Sequence, residues 1–320
     1  MWQAIGSEMR GAVFALGLLL ASLIALGHLD WHDPIIMILN NLRAHLSALL
    51  GLVALLLMAS RAGMRGTVLL GCAVLALVLV FRDMAPSSRG MATAEPSLKV
   101  IAFNMLGSNL ENGPAIAAFL EQSDADLVFL NESRPIVPFL EDLKNRFPYQ
   151  LGCDVAGENA GSCGDVLLLS RLELEAPSIT RLTGPSGHQT VTGRIEIDGK
   201  PLSVVATHFL RPYFGEQQVG EFAALRRLVD GLSGPILVAG DFNATAWFGP
   251  FSELLGTTGL TRAAFEPGTW PVELGDLGAP IDHVLVSGDA ALASLLALPD
   301  HFGSNHRGLA AEIALVPAGQ

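Results

Sequence analysis

The stretch VAGDFNATAW places a carboxylate, Asp241, and a carboxamide, Asn243, one residue apart, directly after an apolar run that Gly240 breaks. The same arrangement, a polar group at the end of an apolar run, recurs along the chain. Asn104 follows KVIAF, Glu132 follows DLVFLN, His208 follows SVVAT, Asp282 and His283 open the run DHVLVS, and Asn305 and His306 precede the last run. Any one of these reads as a turn former or a hydrogen-bonded structural group. Six such placements together read as a site assembled on loops held by a rigid scaffold. Glu132 is an oxygen ligand, and Asn104 and Asn305 add carbonyl oxygens, a set that suits Mg²⁺, with Mn²⁺ as a substitute. Asp241, with Asn243 beside it, is placed to hold and deprotonate a water. His306 oriented by Asp282, and His208 as a donor to a phosphoryl oxygen or a leaving group, complete the acid–base set. Such a site neutralises charge growing on a phosphoryl centre and releases a phosphate and an alcohol.

These residues need elements to hold them. Short runs rich in Val, Ile and Leu, bounded by Gly, Pro or Asp, predict strands over 99–103, 126–130, 165–170, 190–197, 202–207, 236–239, 281–287 and 309–315. Helices are predicted over 114–122, 135–146, 216–232 and 250–255, three of them opening on a proline. Strands and helices in mixed order imply an α/β or α+β sandwich. Residues 83–97, small, polar and Pro-containing, read as a linker between a first domain, 1–82, and a catalytic domain, 98–320.

The first domain has a different character. Segments 11–27, 45–59 and 67–81 contain no Asp, Glu, Lys or Arg, and they approach the roughly 20 apolar residues that a spanning helix needs. Three transmembrane helices are therefore expected, with a signal peptide as the alternative reading of the first. Arg10 precedes the first segment, and Arg61 and Arg65 lie between the second and third. Positive loops stay in the cytoplasm, so the chain after 81 is expected on the periplasmic or extracellular side of the cell membrane. Cys153 and Cys163, ten apart in a Gly-rich polar stretch, can close a disulfide, which persists in that same compartment. From Met91 onward, 13 Lys and Arg stand against 27 Asp and Glu, a balance of −14 (13 − 27). A duplex-gripping protein offers a basic face, so no stable nucleic-acid complex is expected.

In order along the chain, Asn104, FLNES with Glu132, THFLRP with His208, GDFNAT with Asp241 and Asn243, PIDHVLVS with Asp282 and SNHRG with His306 resemble the endonuclease/exonuclease/phosphatase, or DNase I-like, superfamily over about residues 98–315. The resemblance implies a four-layer sandwich, two mixed β-sheets face to face with helices outside, and Mg²⁺-dependent phosphoester hydrolysis. Carried over position by position, it implies metal binding by Glu132 and Asn104 and phosphate or transition-state contact by His208 and Asn243. It makes Asp241 the water-activating or leaving-group residue, and Asp282 and His306 a dyad. One position departs: the family usually has Asp where Asn305 stands. Asn keeps a carbonyl ligand and loses a charge, which weakens metal binding and the case for a second ion.

Superfamily members act on DNA, RNA, inositol phosphates, sphingomyelin and polyprenyl diphosphates, and fold does not choose among them. The acidic catalytic domain, the apolar segments, and aromatic residues beside the site motifs point to a phosphorylated, lipid-linked substrate. Trp247, Phe248 and Phe251 of AWFGPF, with Tyr213, Phe214 and Trp270, can rest at headgroup level or line an acyl groove, although for any one of them ordinary core is the commoner reading. The apolar segments followed by GDFNATAW, TWP and PIDHVLVS are similar to a bacterial membrane-bound branch that includes the teicoplanin-resistance type of undecaprenyl diphosphate phosphatase. The expectation is a membrane-anchored phosphoesterase in contact with the lipid bilayer. A tethered nuclease and a catalytically weak membrane scaffold are the competing readings.

Overall fold

The computed structural model describes residues 2–29, 31–85, 95–153, 163–183 and 188–315. The chain divides into two compact units. One comprises Met1–Ala85, Pro212–Glu216 and Ala246–Ser252; the other comprises Pro86–Arg211, Gln217–Thr245 and Glu253–Gln320. Of the linker expected over 83–97, residues 86–94 lie outside the described residues.

The first unit holds helices α1 (Trp2–Leu26), α2 (Pro34–Asn41), α3 (Arg43–Ala59) and α4 (Gly63–Met84). Ser7–Leu26 and Gly63–Met84 are long and apolar enough to cross a membrane; the count rises to three if α2 and α3, bent by 67° at their junction, form one span. The three apolar segments of the sequence lie within α1, α3 and α4, whereas α2 was not expected. Its start is specified locally: Asp33 accepts a hydrogen bond from the Ile35 amide at 2.9 Å, and Pro34 occupies the first turn. Leu20, Ile24, Leu50, Val53, Leu57 and Leu69 form the interior of the helices, while Leu18, Leu19, Leu52, Leu55, Val74 and Leu75 are exposed on their outer surfaces. Arg43 is buried in this unit, donating to His28 Nδ1 at 2.6 Å, to the Asn40 carbonyl and to the Trp247 carbonyl. The aromatic run beside the GDFN motif is part of this interior. Trp247, Phe248 and Phe251 are buried, and Trp247 packs on Val80, Ala44 and Met84. Of the two readings of these aromatics, ordinary core is the one that holds for this run.

The second unit contains eleven described strands: β1 (Leu98–Asn104), β2 (Leu127–Asn131), β3 (Tyr149–Cys153), β4 (Cys163–Ser170), β5 (Glu175–Arg181), β6 (Gln189–Ile197), β7 (Lys200–His208), β8 (Ile236–Asp241), β9 (Asp282–Ser287), β10 (Ala290–Ala297) and β11 (Leu309–Leu315). They form a six-stranded sheet in the order β10-β11-β1-β2-β4-β3 and a five-stranded sheet in the order β5-β6-β7-β8-β9. Each is mixed, because β1–β2 and β7–β8 run parallel and the other pairs antiparallel. Val100, Ala102, Leu127, Phe129, Val166 and Leu168 of the first sheet share one core with Leu202, Val204, Ala206, Leu237, Ala239 and Val284 of the second. Ile101, Phe103, Val128 and Leu167 face the other way, onto α5 (Gly113–Gln122) and α6 (Leu140–Leu143). The next helix, α7 (Glu216–Asp230), buries Phe222 edge-on against Phe209, with ring centroids 4.6 Å apart. Two mixed sheets flanked by helices are thus the architecture. The helix expected over 135–146 is instead a 3₁₀ turn, Val137–Phe139, followed by the single turn of α6. Cys153 and Cys163, on paired strands, are joined by a disulfide; residues 154–162 between them lie outside the described residues.

Candidate active site

Alternate residues of a strand face the same side of its sheet. In this sandwich the inward rows do not end on apolar residues. The β1 row Val100, Ala102 continues to Asn104, and the β2 row Leu127, Phe129 to Asn131. The β7 row Leu202, Val204, Ala206 continues to His208, the β8 row Leu237, Ala239 to Asp241, and the antiparallel β9 row starts at Asp282 before Val284 and Val286. Register brings them level: Asn104 pairs with Asn131, His208 with Asp241, and Asp241 with Asp282. Five buried polar residues therefore close one end of the inter-sheet core.

Asp241 is the hub. Its Oδ1 accepts from the Asn243 amide at 2.7 Å, and its Oδ2 accepts from Asn104 Nδ2 at 2.9 Å. His208 Nε2 stands 3.6 Å and His306 Nε2 3.9 Å from that same Oδ2. Each imidazole is braced from behind. His306 Nδ1 donates to Asp282 at 2.8 Å and His208 Nδ1 to Asp165 at 2.6 Å. Asn243 holds a left-handed backbone, φ +48°, and its Nδ2 donates to the Phe209 carbonyl at 2.8 Å; Asn is among the residues that tolerate this conformation. Gly240 explains the break in the apolar run. With φ +145°, a Cβ there would lie 1.9 Å from the Thr207 carbonyl oxygen, so only glycine lets β8 approach β7 this closely.

Glu132 follows β2 in a turn, φ +51°, and its Oε2 accepts from the Gly107 amide at 2.7 Å. Asn104 Nδ2 lies 3.4 Å from its Oε1. Asn104 thus presents its amide donor to Glu132 and Asp241, while its Oδ1 accepts from the Leu106 amide at 3.0 Å. Ser304 ties the last motif to the first, donating to the Asn104 carbonyl at 2.7 Å and accepting from the His306 amide at 3.0 Å. Asn305 sits between these two residues. Its Oδ1 is buried and, among the described residues, meets no hydrogen-bond donor. The predicted residues Asn104, Glu132, His208, Asp241, Asn243, Asp282 and His306 are therefore linked by short contacts, and Asn305 is held by the backbone on either side of it.

Residues 101–306 match the Endonuclease/Exonuclease/phosphatase family. The chain belongs to that family. Members are metal-dependent hydrolases of phosphate esters. Among solved structures, an endonuclease/exonuclease/phosphatase from Beutenbergia cavernae DSM 12333 is 19% identical, with a TM-score of 0.56 over 69% of this chain and 72% of that one. Sphingomyelinase C from Streptomyces griseocarneus is 16% identical, TM-score 0.52, over 68% and 99%. TDP2 from D. rerio, complexed with a single-strand DNA product, is 14% identical, TM-score 0.55, over 68% and 98%. At these identities the likeness is one of fold. No curated protein matches the chain.

Divalent-metal dependence in this family can be tested against the residues present. The Glu132 carboxylate is partly exposed, with Oε1 engaged only by the long Asn104 bond and by Arg211 at 3.8 Å. A buried acceptor without a donor, such as Asn305 Oδ1, costs on the order of 1–3 kcal/mol unless something meets it. Both oxygens suit a hard cation. The electrostatics suit phosphate chemistry as well. Burial opposes charge on His306, but Asp282 and Asp241 outweigh it and raise its pKa to about 9. For His208 burial is likewise outweighed, by Asp165 and Asp241, and its pKa is raised. Burial and the nearby Asp282 carboxylate raise the pKa of Asp241, against the pull of the two histidines. Asp165 is the reverse case: burial is overcome by hydrogen bonds from His188 and His208, and its pKa is lowered.

Four contributors were not singled out in the sequence. Asn131 accepts from the Asp241 amide at 2.8 Å and donates to the Thr207 carbonyl at 2.9 Å, tying the two sheets together at the site. Asp165 braces His208, and it opens a predicted strand, as Asp282 does. His188 donates to the same Asp165 oxygen at 2.9 Å and stacks on His208 with centroids 4.1 Å apart. Glu221 accepts from the Leu210 amide at 2.6 Å.

Proposed function

We propose that this chain is a membrane-anchored, Mg²⁺-dependent phosphoesterase that hydrolyses a lipid-linked phosphate, such as a polyprenyl diphosphate, outside the cytoplasm. The observation that carries the reaction class is Asp241: a buried carboxylate within 3.9 Å of two imidazoles, each braced by its own carboxylate. Asp241, its pKa raised toward the working range of a base, takes a proton from a water positioned beside Asn243. His208 and His306 stay protonated and offer N–H groups to the phosphoryl oxygens or the leaving group. Asn104 fixes Asp241 through its amide donor. Glu132 and Asn305, with Asn104 once its amide is turned over, are the residues that would hold the cation, which supplies charge neutralisation at the phosphoryl group when bound. The substrate class is supported by the apolar helices of the first unit and by the acidic balance after Met91.

The test uses the full-length chain in detergent micelles. Phosphate release from a long-chain polyprenyl diphosphate and cleavage of plasmid DNA are measured with Mg²⁺ and again after EDTA. Metal-dependent phosphate release is expected, lost by about 10²–10⁴-fold in Asp241→Asn, the contribution of a positioned acid–base group. Glu132→Ala is expected to abolish the Mg²⁺ dependence. Fast, salt-sensitive DNA cleavage with an inert lipid supports the nuclease reading instead, and silence on every phosphoester supports the scaffold.

A further inference from the structure

Within the first unit, the short segment Pro212–Phe214 packs against α2, where Gly215 would bring a Cβ within 2.8 Å of the His32 carbonyl and 3.5 Å of the Pro34 ring. Two faces of this pairing are apolar and open. Trp31 (63% exposed) and Ile35 (67%) lie on the α2 side, and Tyr213 (49%) and Phe214 (42%), their rings 4.8 Å apart, lie on the other. In the chain, the exposed Leu26 at the end of α1 and Leu29 just beyond it precede Trp31 and Ile35, which fall between helices whose outer faces are leucine and valine. In water such a surface is unfavourable by about 25 cal/mol for each Å² of apolar area left exposed. Trp and Tyr, with an apolar ring and a polar tip, are enriched where a bilayer turns from hydrocarbon to headgroup.

We infer that Trp31, Ile35, Tyr213 and Phe214 form one lipid-contacting surface that seats in the headgroup and upper acyl region of the bilayer. It rests on the reading that the apolar helices span a membrane. Tyr213 follows His208 by five residues in the chain. The occupant is lipid rather than a second copy of this chain, because Trp31 and Ile35 follow directly on Ser7–Leu26, a helix apolar and long enough to cross a bilayer, and Trp and Tyr favour the boundary where such a helix leaves the hydrocarbon.

The test places a fluorescent NBD label on a cysteine introduced by Phe214→Cys in the full-length Cys72→Ser chain, reconstituted in phosphatidylcholine vesicles. Lipids carrying a nitroxide at acyl carbon 5 or carbon 12 are compared with aqueous iodide. Quenching by the shallow nitroxide at least about twofold stronger than by the deep one, with protection from iodide, is expected. Quenching by iodide and by neither lipid overturns the inference, and so does protection from all three, which would mean coverage by protein. Ile35→Cys repeats the measurement from α2 should the first variant fail to fold. Leu75→Cys on α4 separates the two levels of failure. No lipid quenching at 75 removes the membrane reading itself, whereas quenching at 75 without quenching at 214 removes only the surface. None of these readouts depends on hydrolysis.

Discussion

Asn131 shows how far a single side chain can carry the site. Its amide satisfies a buried carbonyl, that of Thr207, and its oxygen a buried amide, that of Asp241. Asn131→Leu keeps the volume and strands both groups, so a loss of ~2–4 kcal/mol is expected, read as a fall in melting temperature. A melt within about 1 °C of wild type would show that the bridge does nothing. Asp165 makes a prediction with a defined pH window. Its carboxyl pKa is lowered by His188 and His208, and the His208 pKa is raised in return. The carboxylate's contribution is present above its unfolded pKa of about 3.9 and is lost as pH falls through the lower folded value. The imidazole's contribution is full below about 6.5 and is lost as pH rises through its raised folded value. The melting gap between wild type and Asp165→Asn should therefore be widest between about pH 4 and 6.5 and narrow on either side. A gap independent of pH would refute the pairing. The sequence made Asp241, His208, Asp282 and His306 legible because each ends or opens an apolar run. Asn131 lies on the inward row of FLNES by the same period-two logic, yet Glu132 beside it has the stronger chemistry and drew the reading. His188 carries no local signal. Its partner lies on a distant strand, and only the folded chain brings Asp165 to it.

Among the elements, the strands that build the site are readable in the sequence, as are β4, β6, β11, α5 and α7 around them, whereas β3, β5, β10 and α2 are not. β1, β2, β7, β8 and β9 are short, apolar and sharply bounded. β5 is exposed along nearly its whole length, so burial never imposed an alternating pattern on EAPSITR. β10, AALASLLA, is made of alanine and leucine, which favour helix, and it is a strand because its pairing with β11 overrides that preference. β3 is short and contains Gly152 at φ +128°. α2 was overlooked although Asp33 and Pro34 mark its start, because eight residues are too few for a periodic stripe to show. Gly240 gives the element-scale prediction. Gly240→Ala meets the Thr207 carbonyl at 1.9 Å and Asn131 Oδ1 at 3.2 Å, which forces β7 and β8 apart where His208 pairs with Asp241. A destabilisation of at least ~2 kcal/mol is expected. Gly199, also at positive φ (+76°) but with nothing within 4 Å, is the control, and Gly199→Ala should cost only the left-handed backbone penalty of ~1 kcal/mol. Equal melting temperatures for the two variants would mean that close approach, as opposed to backbone conformation, is not what glycine provides at 240.

At the scale of the molecule, the proposed membrane anchoring makes charge the guide to the side on which the chain beyond Ala85 lies. Arg10 donates to the Ser60 carbonyl at 3.2 Å, and the Arg65 guanidinium lies 5.5 Å from the centroid of the Phe14 ring, so Arg10, Arg61 and Arg65 gather at one end of the helices. Arg43, Arg82 and Arg89 stand against this orientation in the sequence. Among the described residues, Arg82 pairs with Asp83 at 2.8 Å and Arg43 is buried at 3.9 Å from the same carboxylate; Arg89 lies outside the described residues. From the arginine-rich end, the 22 residues of α4 rise ~33 Å at about 1.5 Å each, one hydrocarbon thickness. Under the proposed anchoring, the positive-inside rule predicts that the chain beyond Ala85 emerges outside the cytoplasm, the side where a disulfide such as Cys153–Cys163 persists. Single cysteines in the Cys72→Ser background test this. Met64→Cys sits at the exposed turn into α4, and Lys200→Cys at the exposed β6–β7 turn. A membrane-impermeant maleimide applied to intact cells should label the second and reach the first only after permeabilisation. The opposite pattern would place the chain beyond Ala85 in the cytoplasm, where the disulfide would face reducing thiols, and would overturn the proposed topology.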